Sequence, residues 1–326
     1  VLASVSGGKR FRALMAHVGY ALSSGIALDQ VSLPHLSAAL ELYQASALVH
    51  DDIIDKADER RGMPTPPRTL AHHHASSSWL GSSTDFGRHA ASLVGDFLFS
   101  AATAAADEQA LTLRQDCARA FARRFADMHA EVALGQYLDI TAEQSPLDPQ
   151  RTDALSTSDS LEVALHKSAR YSVVHPAILG AICGAPSIDG VAELLNVLET
   201  ILTPWGLAFQ LRDDDLGVFG DPAVTGKPAG DDLREGKRTA LLALTWEASS
   251  PAERRALTDV LGVTEASAEQ IATATEIVER NGRAAHEAEI ARLVADGHAA
   301  LDASSFTDDA RAMLRELCSI LTARRA

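Results

Sequence analysis

Asp51, Asp52 and Asp55 close the apolar stretch "ALVHDDIID" (Ala47 to Asp55). On a helix Asp51 and Asp55 share one face, and Asp52 stands about 100° round from Asp51. Carboxylates that converge without cysteine or histidine suit a hard cation. Mg²⁺ takes few protein carboxylates, keeps several waters and completes its shell with substrate phosphate oxygens. Arg60 and Arg61 follow at once, and a guanidinium fork matches phosphate oxygens two at a time. Acids holding metal beside paired arginines make chemical sense when a polyanionic phosphate lies between them. A single cluster of this kind is as readily explained by an ordinary charged helix end.

The sequence repeats the arrangement. "FQLRDDDLGVFGD" (Phe209 to Asp221) sets Asp213 and Asp214 after another apolar helical segment. Lys227, Lys237 and Arg238 follow in the stretch "DPAVTGKPAGDDLREGKRT". Two acid clusters, each answered by cations, share one logic: carboxylates, bridging metals, phosphate, then lysines on the outer oxygens. Two further basic places fit it. In "SGGKRFR", Lys9, Arg10 and Arg12 follow a glycine pair, and backbone amides with cations there suit a second phosphate. The spacing is not that of a P-loop. Lys167, in "HKSARYS", stands on a mostly apolar helix, where a lysine either meets a partner or reaches out to water.

Helices must position these groups. Val31–Ile54 carries apolar residues at three- and four-residue spacing, among them Leu36, Leu40, Tyr43 and Ala47. Arg60–Ser83, with three prolines, the His72–His74 run and Gly81, reads as a loop. Helical periodicity resumes from Phe86 to about Ala142, breaks at Ser145–Pro149, and returns over Leu161–Ile182 and Val191–Phe219. Gly220–Gly236 reads as loop, and Thr239–Ala326 as amphipathic helices with short breaks. An all-α chain of about ten or more helices in one domain, residues 1–326, is expected.

Composition sets the bounds. The 326 residues are 46% hydrophobic and carry a net charge of −15, which argues against generic binding to nucleic acid or anionic membrane. Three widely spaced cysteines make neither a disulfide framework nor a zinc pattern, so a cytoplasmic setting is expected. No apolar run reaches the length of a membrane span, and no signal-peptide pattern is visible.

Taken together, "GGKRFR", "DDIID" with "RRGMPT", "HKSARYS", "FQLRDDDLGVFGDP" and "GKPAGDDLREGKRT" resemble the trans-isoprenyl diphosphate synthases, the family of farnesyl, geranylgeranyl and longer polyprenyl diphosphate synthases. The motifs run from Gly7 to Thr239 in family order. The resemblance implies the all-α isoprenoid synthase fold, a single helical bundle around a central cavity, and a homodimer. By it Asp51, Asp52, Asp55, Asp213 and Asp214 bind Mg²⁺, with about three ions around a bound diphosphate. Arg60, Lys167, Lys227 and Lys237 contact the allylic diphosphate. Lys9, Arg10, Arg12 and Arg61 hold isopentenyl diphosphate, with Gln44 at the same subsite. Ser168 and Gln210 lie near the developing carbocation. Ionisation of the allylic C–O bond loads negative charge on the leaving diphosphate, so metals and fixed cations stabilise the transition state. A class I terpene cyclase and a non-catalytic synthase subunit share parts of this pattern. The retained isopentenyl set argues against the first, and the two intact acid pairs against the second.

Two departures stand out. The second motif usually ends in Asp where this chain has Gly217, so Asp215 or Asp221 is expected to compensate, or a water-mediated metal contact is lost. A helical glycine also suggests a bend there. Pro67 stands where relatives often carry His. His50 points away from the Asp51–Asp55 face and reads as structural. Product length is a cavity question. Ala47 and Ser46, four and five residues before Asp51, are small, so the tunnel stays open beyond fifteen carbons. Tyr43, one turn further down, is expected to floor it near twenty, which points to geranylgeranyl diphosphate.

Overall fold

A computed structural model describes residues 10–60, 62–220, 230–263 and 266–322. Lys9, Arg61, Asp221 and Lys227 lie outside the described residues. The expected helical chemistry is realised almost throughout. The sheet among the described residues is a two-residue ladder, Glu59–Arg60 against Met63–Pro64, with Glu59 opposite Pro64.

The first helices are α1 (Phe11–Ser24), α2 (Pro34–Ile54), α3 (Pro66–Ser76), α4 (Ser83–Leu111) and α5 (Gln115–Gln144). The loop expected over Arg60–Ser83 is corrected by α3. Pro66 and Pro67 are its first two residues, after Thr65 in extended backbone (φ −66°, ψ 159°). Proline's fixed φ and missing N–H favour a helix start as much as they oppose a helix interior. Pro67 is thus a helix starter, and the His72–His74 run is helical, not solvated loop. His74 is buried, its Nε2 3.1 Å from the Leu80 carbonyl, beside the rings of Trp79 and Phe86.

After α6 (Thr157–Ala164) the backbone widens into a π-helix, Leu165–Val174, then re-enters α7 (His175–Gly184). The His175 N–H reaches back five residues to the Arg170 carbonyl. Single π turns recur at functional sites because they swing side chains off the ordinary 3.6 periodicity. Next, α8 (Ile188–Phe219) continues through Gly217 without a break in the helix. A short helix, Asp231–Glu235, stands within the segment expected as loop.

The chain divides into two compact units, Val1–Phe125 with Pro176–Ala192, and Ala126–His175 with Glu193–Ala326. In the first, α4 presents Gly87, Ala91, Gly95, Leu98 and Ala102 on its buried face. Small residues there let neighbouring backbone approach: a Cβ on Gly87 would lie 2.3 Å from the Pro67 carbonyl oxygen, and one on Gly95 2.4 Å from His50 Nε2. Ala45, Val49, Ala91 and Leu98 form the apolar contact between α2 and α4. In the second unit Val218, Leu233, Leu241, Trp246, Ile277 and their neighbours form one buried cluster. The Trp246 indole N–H donates to the Arg151 carbonyl at 2.9 Å, so the largest side chain of that core leaves no polar atom unmet.

Helices α1 and α7 meet closely at Gly180, where a Cβ would lie 1.8 Å from the Ala16 carbonyl oxygen. Alanine adds helix propensity of about 1 kcal/mol, but the obstacle is backbone, which cannot swing away. Gly180→Ala is expected to destabilise the protein by about 2–3 kcal/mol net. A lower urea midpoint at unchanged slope checks this.

Candidate active site

The first acid cluster is built by the end of α2 and the hairpin that follows. The Asp55 N–H donates to the Asp51 carbonyl at 2.8 Å, and Lys56 turns the chain with φ 53°. Buried Thr65 stitches the hairpin back, its Oγ1 donating to the Ala57 carbonyl at 2.6 Å. This fold returns Arg60 onto the acids. Its Nε donates to Asp52 Oδ1 at 2.6 Å and its Nη2 to Asp51 Oδ2 at 2.8 Å. Burial alone would lower the Arg60 pKa, but Asp51 and Asp52 outweigh it and the net shift is upward. Arg60, assigned by resemblance to the diphosphate, is thus seated on the carboxylates themselves and neutralises part of their charge.

The faces of α2 correct one expectation. Ala47 lies about 40° round the helix from Asp51, but Ser46 lies about 140° away. Ser46 is buried and donates its Oγ to the Gly95 carbonyl of α4 at 2.8 Å. It therefore does not share the Asp51 face. Gln44 and Ala47 are half-buried, and Tyr43 is buried edge-on to Phe99, ring centroids 6.1 Å apart. His50 turns toward Gly95 and lies 3.6 Å from Asp96, on the structural side as expected. Arg10 caps α1 in a left-handed conformation (φ 51°) and donates to Glu41 Oε2 at 2.6 Å, and Arg12 is half-buried in the first turn.

The second acid cluster occupies the last turns of α8. Asp214 is buried, and Gln210 donates its Nε2 to Asp214 Oδ1 at 2.9 Å. Burial first, then the nearby charges of Asp232 and Asp213, push the Asp214 carboxyl up to about 8, against the hydrogen bond from Gln210 and the charge of Lys237. Lys237 pairs with Glu235 and lies 3.7 Å from Asp232 Oδ1. Asp215, expected to compensate for Gly217, is engaged elsewhere. Arg283 donates its Nε to Asp215 Oδ1 at 3.0 Å, and Arg212 stands 3.9 Å away.

Lys167 and Ser168 project from the π-helix, both half-buried. Lys167 Nζ pairs with Asp139 of α5, a buried acid. Gly135, one turn earlier on α5, makes room for the Lys167 backbone: a Cβ there would lie 2.3 Å from the Lys167 nitrogen. Asp139 is absent from the sequence expectations, and the signal that marked it was an isolated glycine inside a helical pattern. Glu131 is a second acid that spacing did not reveal. It accepts from His166 Nδ1 at 2.8 Å, His175 Nε2 at 2.6 Å and Arg170 Nε at 2.8 Å. Three donors on one carboxylate pin both ends of the π-helix that carries Lys167.

The donor set fits Mg²⁺. Its members are carboxylates, two of them buried (Asp52 and Asp214), with cations ready to meet phosphate oxygens. Among the described residues no group of three or more His, Cys, Asp or Glu side chains forms a ready-made metal cage. No described helix is long and apolar enough to cross a membrane.

The polyprenyl synthetase family model matches residues 2–278. The chain belongs to that family. It is 31% identical over 299 residues to a geranylgeranyl diphosphate synthase of Mycobacterium tuberculosis, covering 90% of this chain and 75% of that one. It is 30% identical over 308 residues to a geranylfarnesyl diphosphate synthase of Aeropyrum pernix, covering 92% and 86%. The crystal structure of a geranylgeranyl pyrophosphate synthase from Corynebacterium glutamicum, complexed with isoprenyl diphosphate and magnesium, superposes with a TM-score of 0.87 at 37% identity, covering 99% of this chain and 90% of that one.

Burial alone would raise the Glu131 pKa, but hydrogen bonds from His175 and His166 and the charges of His175 and Arg170 bring it down to about 2. A depressed carboxylate stabilises the fold fully above its unfolded pKa, and that stabilisation is lost as pH falls through the folded value. Glu131→Gln is expected to cost about 3 kcal/mol at neutral pH and to flatten the decline of melting temperature between pH 4.5 and about 2. Melting curves across that window check both.

Proposed function

We propose that this protein is a trans-prenyltransferase that joins isopentenyl diphosphate to an allylic diphosphate, with geranylgeranyl diphosphate as product. One observation carries the proposal beside the family membership. At both acid clusters a buried helical aspartate has a cation folded back next to it, Arg60 at Asp52 and Lys237 in the field of Asp214. Ordinary helix ends are solvated and do not bury their acids.

In this reading Asp51, Asp52 and Asp55, and Asp213 and Asp214, are the carboxylates that would hold about three Mg²⁺ ions with the allylic diphosphate. Bound Mg²⁺ supplies Lewis-acid stabilisation of the charge that grows on the departing diphosphate. Arg60, Lys167 and Lys237 orient the diphosphate and share its charge, and Lys227 joins them. Lys9, Arg10, Arg12, Arg61 and Gln44 hold isopentenyl diphosphate with its double bond toward the allylic carbon. Ser168 and Gln210 present dipoles to the carbocation, and Gln210 also fixes Asp214. The proton lost after C–C bond formation passes to the departing diphosphate. Asp139 holds Lys167 in place. The protein acts as a cytoplasmic homodimer, a proposal supported by Leu93 and Phe97, both exposed on α4.

Product length rests on Ala47 and Tyr43. Ala47 stands on the metal face one turn below Asp51, and buried Tyr43 lies one turn further down against Phe99. Incubation with Mg²⁺, isopentenyl diphosphate and, in turn, dimethylallyl, geranyl and farnesyl diphosphate is expected to give a twenty-carbon alcohol after dephosphorylation. A cyclised hydrocarbon, or no Mg²⁺-dependent turnover with any primer, would refute the assignment.

Ala47→Phe is expected to shift the product to fifteen carbons or fewer, while Ser46→Phe, directed at the Gly95 backbone, mainly lowers stability. Chromatography of the products and melting curves separate the two. An unchanged product from Ala47→Phe would place the floor on another helix.

A further inference from the structure

The turn of residues 77–82, which joins α3 to α4, carries Trp79 and Leu80. Leu80 is 97% exposed and Trp79 50%. A single exposed leucine means little on a protein surface, but this turn is built to hold both side chains outward. Ser78 (φ 52°) and Gly81 (φ 94°) adopt the left-handed backbone that reverses the chain. The Ser77 N–H donates to the His73 carbonyl at 3.0 Å, and the Trp79 N–H to the His74 carbonyl at 3.3 Å. Buried His74 places its Nε2 3.1 Å from the Leu80 carbonyl. The Trp79 ring stands edge-on to His73, His74 and Phe86, with centroids 5.2 to 5.8 Å apart. One side of the indole is thus fixed against the protein, while Leu80 and the rest of the ring face water.

The charge around this turn is the reverse of the chain's. The whole chain has 44 acidic and 29 basic residues, and its net charge of −15 opposes indiscriminate attraction to an anionic surface. Residues 60–95 hold one acid, Asp85, against four arginines, with His72, His73, His74 and His89 besides. Arg68, His72 and His73 are exposed on α3, and Arg88 and His89 on α4. Arg68 and Arg88 line one hollow together with Lys56. The acids of that hollow are already met, Asp52 by Arg60 at 2.6 Å and Asp58 by Arg68 at 3.7 Å. Arg88 stands six residues along α4 from the capping residue Ser82, a distance of about 9 Å.

An apolar tip with cations set back behind it matches the layers of a lipid surface. Apolar side chains of a surface-bound segment reach about 5–10 Å into the boundary between headgroups and acyl chains. Basic residues behind them then stand level with the headgroup phosphates. Tryptophan is favoured at that depth because its ring is apolar and its N–H polar. We infer that the turn between α3 and α4 docks this protein on an anionic lipid bilayer, with Trp79 and Leu80 entering the headgroup region and Arg68, Arg88 and Lys56 meeting the lipid phosphates. The contact is peripheral. It adds a surface to the proposed reaction and does not depend on that reading.

The test uses the full chain without substrates, and vesicles of phosphatidylcholine, alone or mixed with phosphatidylglycerol. Of the three tryptophans, Trp205 and Trp246 are fully buried, so a change of emission on adding vesicles reports Trp79. With the anionic vesicles the protein is expected to co-sediment, its emission to move to shorter wavelength, and brominated acyl chains to quench it. Each effect is expected to be weaker with phosphatidylcholine alone. Leu80→Asp is expected to weaken binding by about tenfold or more, and so is the double variant Arg68→Glu/Arg88→Glu. Melting curves check that these exposed substitutions leave the fold intact. Absence of wild-type binding to the anionic vesicles, equal binding to both vesicle types, or binding unchanged by Leu80→Asp overturns the inference. A wild type that binds no vesicle, but whose sedimentation coefficient Leu80→Asp changes, assigns the turn to contact with a second copy of the chain and overturns it as well.

Discussion

Like charges gathered in a small space repel, and the fold is organised around that cost. Asp51 and Asp52, and Asp213, Asp214 and Asp232, are held near one another by helix geometry and apolar anchoring, not by mutual attraction. The interior strengthens every charge interaction because little water is present to screen it. Each acid set therefore comes with a compensating cation whose position the backbone dictates. Arg60 reaches Asp51 and Asp52 because a hairpin two residues wide turns it back. Lys237 reaches Asp232 because a short helix ends at Gly236 with φ 82°. Burial first, and then the neighbouring acids, raise the pKa of Asp214. In the proposed function, divalent cations bound with diphosphate would supply the remaining compensation.

A second constraint works through the π-helix. Lys167 is a strongly hydrated point charge on a flexible stem, and it becomes useful only where its backbone is fixed and its ammonium is met. Gly135 allows the backbone contact, Asp139 meets the ammonium, and Glu131 secures the flanking histidines and Arg170. Glu199 holds the other arm of Arg170 at 2.5 Å. Three acids, Asp139, Glu131 and Glu199, thus brace one widened turn. An ordinary α-helical turn would rotate Lys167 relative to His175, and the Glu131 bonds to both ends would no longer close together.

What the sequence revealed follows a physical line. Contiguous motifs on one helix, such as Asp51 with Asp55 or Asp213 with Asp214, are legible because helix periodicity alone sets their face. The all-α architecture is legible for the same reason. Partnerships between distant segments are not: nothing in the spacing joins Glu131 to His166 and His175, Asp139 to Lys167, or Asp232 to Gly217. The helix Pro66–Ser76 was obscured because proline carries opposite meanings at a helix start and in a helix interior. Gly217 was recognised as a departure, yet that the space beside it is filled by Asp232, fifteen positions later in the sequence, was not.

One helix joins chemistry to product length. Because α2 carries Asp51 and Ala47 about 40° apart on the same face, one helix sets both the acids that would hold the diphosphate and the position proposed to face the growing tail. In the proposed function the reacting carbon would be kept at a fixed height above Ala47, and each added isoprene unit would extend the tail further from the acids. Ser46, about 140° from Asp51, is spent on a different task. Its hydroxyl bonds the Gly95 carbonyl and seats α2 against α4. Tolerance at the two adjacent positions therefore differs in kind. In the proposed function a larger side chain at 47 would meet the space in which the product grows, whereas one at 46 meets the backbone of α4.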